Sequence, residues 1–135
     1  MASLDEITQE IHFSVTGALG CAVVDLSSGL LLSVSHNVNY FTQTFVEAAA
    51  AAAVDVFRGR NIQAVESLLG NQRGQALKNS IQEIQMTTQS TFHFMTLIPD
   101  RPDTLLVLIT SRETSLGMGW ASIRVNAPKI TPLLP

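Results

Sequence analysis

Cysteine is almost missing from this sequence: Cys21 is the only one in 135 residues. An internal disulfide and a cysteine-based metal cluster within one chain are thereby excluded, and a reducing, cytoplasmic setting is expected. Charge is scarce too. Charged residues make up 14% against 46% apolar ones, so some apolar surface is expected to be kept for a partner, a hint of self-association. The net charge of -3 has the wrong sign and too small a size for a nucleic-acid or anionic-membrane protein taken as a whole. Long hydrophobic runs are absent as well. Even the uncharged stretch 26–46 is interrupted by Ser, Asn, Thr and Gln, and nothing reaches the ~20 apolar residues of a membrane span. The opening "MASLDEITQE" lacks a basic region, so no membrane insertion and no processing are expected.

The short motifs of catalysis are missing in the same way. "GALG" at 17–20 lacks the third glycine and the strand-before-helix setting of a dinucleotide fingerprint, and reads as a tight helix-to-strand turn. There is no phosphate loop, no GxSxG elbow and no SxxK pair. His12, His36 and His93 lie in different elements without a metal-ligand partner at helical spacing, and read as surface or boundary residues. Of the three, His93 between Phe92 and Phe94 is the one its neighbours could bury. Asp25 has no carboxylate partner in sequence. No enzyme, metal or cofactor is expected.

What the sequence does contain is a legible order of elements in a single domain over residues 1–135. Ser3 and Glu6 form a capping box ahead of Leu4, Ile7, Ile11 and Val15 at helical spacing, with an end near Gly17. "LGCAVVDL" and "LLLSVS" are two β-prone runs joined by "SSG", with Cys21 and Val23 on one face and Ala22, Val24 and Leu26 on the other. Thr44 and Glu47 suggest a second capping box for a helix that ends at Arg58, with Gly59 as its stop. Asn61 then caps a short helix whose apolar side is Ile62, Val65, Leu68 and Leu69 and whose stop is Gly70.

Three strands follow, "IQEIQMTTQ", "TFHFMTLIP" and "TLLVLITS". The first has Ile84 and Met86 opposite Glu83, Gln85 and Thr87, so one face is wetter. Leu105 to Ile109 are apolar on both faces and suit a central strand covered on both sides. "PDRPD" is a turn. Leu116, Trp120, Ile123 and Ala127 then lie along one helical stripe that Pro128 should end, leaving 127–135 as an extended tail. Met118 and Trp120 on that helix read as core packing. Gly117 and Gly119 imply a frayed start or a very close neighbour. The economical architecture is α/β (α+β): a central five-stranded antiparallel sheet with helices on its faces.

The oddest stretch is "FVEAAAAAAVDVF", where Ala48 to Ala53 are six alanines in a row. At 3.6 residues per turn it carries two adjoining rows, Phe45, Ala49, Ala52, Val56 and Val46, Ala50, Ala53, Phe57. One row should face the sheet; the other, with small side chains, lets a second helix approach closely. Alanine's helix propensity in a crowded core layer accounts for the run equally well. From Arg58 to Lys78 the chain carries Arg58, Arg60, Arg73 and Lys78 against Glu66 alone, either a solvated connector or a site for an acidic partner.

This order, with "GALGCAVVDLSSGLLL" as first hairpin, a small-residue helix after it and "TLLVLITSRETSLGMGWASIRV" at the end, resembles the Roadblock/dynein light chain family. The resemblance implies a profilin-like three-layer sandwich and a non-enzymatic homodimer that acts as an adaptor or regulator, with a small Ras-like GTPase as partner. It also implies an interface in which the strand near 81–88 pairs with its counterpart at a sheet edge and the helices at 44–58 pack side by side. The interface residues would be Val46, Ala49, Ala50, Ala53 and Phe57 on the helix and Ile84, Met86 and Thr88 on the strand. The connector 59–80 is longer than the family's usual link and could cover the GTPase-receiving surface. Profilin-like sheets also occur in ligand-binding modules of the PAS/GAF type, so a small-molecule sensor domain is the alternative.

Overall fold

A computed structural model describes residues 2–135. Helix α1 (Leu4–Ser14) starts on Ser3, whose hydroxyl accepts the Glu6 amide, and leads into the hairpin β1 (Ala18–Asp25) and β2 (Leu31–His36). Helix α2 (Gln43–Arg58) and helix α3 (Arg60–Arg73) follow, then strands β3 (Glu83–Thr87), β4 (Thr91–Ile98) and β5 (Arg101–Ser111), and helix α4 (Leu116–Ile130). All five strands are antiparallel in one sheet of order β2-β1-β5-β4-β3. The strand that is apolar on both faces, β5, is the middle one, as its composition requires.

The sheet is covered on both sides, which makes the three-layer sandwich expected from the sequence. On one face α1 and α4 pack over Cys21, Val23, Phe94, Leu106 and Leu108. On the other, α2 lies over Val24, Met95, Leu97 and Leu105. The strand period of two sends Cys21 and Val23 to the first layer and Val24 and Leu26 to the second, as read from the hairpin.

Several local expectations need correction. Helix α2 is capped by Thr42, not Thr44; its hydroxyl takes the Phe45 amide, so no capping box with Glu47 forms. Helix α3 is longer than expected and starts on Gly59 without a side-chain cap, so Asn61 lies inside it. It ends at Gly74, whose φ of 69° is left-handed, rather than at Gly70. The turn in "PDRPD" is only Pro99 and Asp100, with Asp100 at φ 63°, and β5 begins immediately at Arg101. Pro128 stands in the last turn of α4 without ending it, because Ala127 and Ile130 on either side are buried in the core. The expected tail from residue 127 is therefore helical to Ile130, continues as a 3-10 turn over Thr131–Leu133, and buries Leu134.

The start of α4 resolves its glycines. Gly119 is buried against the Phe94 ring, where a Cβ would overlap the aromatic carbons, while Gly117 faces open space. Leu116, expected on the core stripe, and Met118 are exposed in consequence. Trp120 meets Phe94 edge-on at 5.4 Å and stays half-buried.

Candidate functional site

The α2 side of the sheet is where the molecule is incompletely filled. Val46, Ala50, Ala53 and Phe57 form the row that faces the sheet, and two of these four are methyl-sized. The strands beneath offer Ala22, Val107 and Ile109, none of them fully buried. Methyl groups cannot span the usual helix-to-sheet distance. The result is an apolar groove of about 220 Å³, floored by these residues and walled by α2, with Ile84 and Met86 at one end and Val34 and His36 at the other. Among the described residues, no charged side chain lines it.

Phe45, Ala49, Ala52 and Val56 make up the other row of α2 and remain accessible. Of the five helix residues expected at an interface, Val46, Ala50, Ala53 and Phe57 are buried toward their own sheet and Ala49 is exposed. Phe45 stacks on Phe41 at 4.9 Å, which fixes the entry to the helix.

Strand β3 is a sheet edge. Its pairing with β4 is regular, Ile84 opposite Met95 and Met86 opposite His93, which puts both side chains on the α2 face. Ile84 is half-buried and Met86 exposed. On the opposite face Glu83 receives Arg124 Nη2 at 2.8 Å and Nε at 3.1 Å, a bidentate pair that ties the strand to α4. The arginine's hydrogen bonds and charge hold the Glu83 carboxyl below its ordinary range. Thr88 lies just past the strand, where it closes the turn with Thr91.

The expected basic cluster is not one cluster. Arg58 donates to the Pro102 carbonyl and lies 3.7 Å from Asp103, with its side chain only 10% exposed, so it is engaged within the fold. Arg60, Arg73 and Lys78 are exposed. Between them α3 is turned the opposite way from its expected orientation. Glu66 is buried, its Oε2 accepting from the Ser80 hydroxyl and amide, both at 2.5 Å, while Val65, Leu68 and Leu69 face out. Those donors, the hydroxyl foremost, hold the Glu66 carboxyl below its ordinary range.

The titratable groups do not gather. His12, expected at the surface or boundary, is buried with Nδ1 2.7 Å from Ser35 Oγ, and burial lowers its pKa. His93 is half-buried at the groove, its Nε2 2.9 Å from Thr91 Oγ1, and burial lowers its pKa as well. Cys21 is buried and its pKa is pushed up to about 12, so its thiol is inert. Asp25 is used locally, accepting from Ser27 and Ser28 in the hairpin turn. Among the described residues, no three His, Cys, Asp or Glu side chains are close enough to hold a metal ion.

No family model matches the chain, and no curated protein matches it. Solved structures do. A Roadblock/LC7 domain from Streptomyces avermitilis superposes with a TM-score of 0.72 at 14% identity, covering 97% of each chain. MglB of Myxococcus xanthus gives 0.69 at 18% identity over 96% of this chain and 92% of its own. An MglB with tetrameric arrangement gives 0.70 at 16% identity, over 95% and 85%. The fold of this chain is the Roadblock/LC7 fold. The shared architecture extends over nearly the full length of the chain at 14–18% identity.

Proposed function

We propose that this protein is a non-enzymatic homodimeric adaptor or regulator that joins two copies through the β3 edge and the accessible row of α2. The observation that carries this reading is a coincidence on one side of the molecule: an edge strand beside an apolar face that only one small-residue helix covers. Strand β3 lacks the usual protections of an edge. It has no Lys, Pro or bulge, and its one charge is engaged by Arg124. The other edge strand, β2, has a register shift in its pairing near Leu31, which twists an edge away from a flat partner. Ala49 and Ala52 would let a second α2 come near, with Phe45, Val56 and Met86 as the bulk that is buried. The tetrameric arrangement of one MglB neighbour is in keeping with assembly through this fold.

A small Ras-like GTPase is the partner class implied by the resemblance to Roadblock proteins, and the setting is cytoplasmic. Static light scattering tests the first step. The account expects twice the 14.6 kDa chain mass at micromolar concentration and a single chain mass for Met86→Asp; a monomeric wild type would refute it.

One observation favours a second reading, a small-molecule sensor. The uncharged groove of about 220 Å³ exceeds the ~150 Å³ apolar cavity known to admit benzene. Ala53→Phe, which would fill the groove, separates the readings: a sensor loses its ligand, whereas a dimer built on the outer row of α2 keeps its mass.

A further inference from the structure

Helix α3 lies outside the three layers, and its attachment decides which side faces out. Glu66 and Gly70, one turn apart, form the inward line. Glu66 is latched to Ser80, and Gly70 is so close to the Gln75 carbonyl that a Cβ would overlap it. That leaves Val65, Leu68 and Leu69 at 53%, 63% and 44% exposure, three aliphatic side chains on one flank of a two-sided helix. The charges follow the same division. The one acidic residue between Gly59 and Gln82 is the buried Glu66, so every exposed charge of this segment, Arg60, Arg73 and Lys78, is positive, in a protein whose net charge is -3.

From this we infer that α3 is a peripheral docking helix for an anionic lipid surface, laying Val65, Leu68 and Leu69 among the acyl chains while Arg60, Arg73 and Lys78 meet the headgroups. Self-pairing through this face is opposed by charge. Antiparallel α3 helices would bring Arg60 against Arg73 at both ends, and parallel ones would bring each arginine against itself. The face also lacks the Trp, Tyr or Arg at its centre that anchors most protein interfaces. Leu and Val are under-represented among such anchors, but they partition into a bilayer without needing a complementary pocket. Attachment of this kind is shallow and reversible, and requires no spanning helix.

Flotation of the full chain tests this, using vesicles of phosphatidylcholine alone and of phosphatidylglycerol with phosphatidylcholine in equal parts. The wild type should float with the anionic vesicles only, and added salt should release it. Leu68→Gln with Leu69→Gln should abolish flotation. Neutralising Arg60 and Arg73 to Gln should weaken it by about tenfold or more. Val125→Gln, a comparably exposed site on α4, should change nothing. Failure to float with either vesicle, equal flotation with neutral vesicles, or indifference to the Leu68/Leu69 change overturns the proposal. So does loss of a dimer mass in the Leu68/Leu69 variant, since the row would then be a self-interface. A wild type that floats as a monomer would instead uphold this proposal while refuting the homodimer.

Discussion

The two faces of the sheet are built from the same strands but filled by opposite rules. Under α1 and α4, bulky side chains interlock. Phe94 reaches into the gap left by Gly119, and Ile11, Leu106, Leu108, Ile123 and Ile130 are wholly removed from solvent. Under α2, methyl groups face Ala22, Val107 and Ile109 and leave a groove. The first face is a finished core. The second has apolar surface, an edge strand and small side chains at its border, which is what a surface completed by another molecule requires.

The contrast can be broken most forcefully at its best-packed point. Phe94→Ala should cost about 3–5 kcal/mol by urea denaturation. Met95→Ala, the next residue but on the groove side, should fall at or below about 2 kcal/mol, since its neighbours are already loosely met. Overpacking gives the converse. Ala127→Leu on the α4 side should cost about 1–3 kcal/mol, whereas Ala53→Leu, entering the groove, should stay under about 1 kcal/mol. Equal costs at the two sites would mean the α2 face is packed like the other. The two glycines of α4 sharpen the same point within one helix. Gly119→Ala should destabilise by about 1–3 kcal/mol through the Phe94 ring, and Gly117→Ala should stabilise by up to about 1 kcal/mol.

The smallest effect is electrostatic and concerns how β3 is held. Glu83 has a lowered pKa because Arg124 bonds its ionised form. The stability this adds is therefore complete above the ordinary carboxylate pKa and is lost as pH falls through the lower folded value. Denaturation curves from neutral to about pH 3 should lose part of their pH slope in Glu83→Gln. An unchanged slope would mean that the pair does not hold the strand.

Much of this fold could be read from the sequence because the signals were local. The Ser3 cap, the alternation of Cys21 to Leu26 and the two-sided apolar run of β5 each depend on neighbours within a few residues. What escaped depends on distant partners. The stripe of Ile62, Val65, Leu68 and Leu69 was visible, but the side of α3 that turns inward is decided by Ser80, which donates to Glu66 Oε2 from fourteen residues away. His12 is buried because Ser35 on β2 receives it, and the tail is helical because Ile130 and Leu134 find the α1 layer. On α2 the two rows were legible while their assignment was not, since either could have faced the sheet. On β3 the shared face of Ile84 and Met86 was easier to read, because the two alternate with polar residues.

The central claim is that the β3 edge and the α2 face are completed by a second copy, and amide hydrogen exchange along Glu83–Thr87 tests it most directly. The account predicts that the amides not bonded to β4 become protected as protein concentration rises through the dimer range, together with the amides of α2. Fast exchange of those β3 amides at every concentration would contradict it.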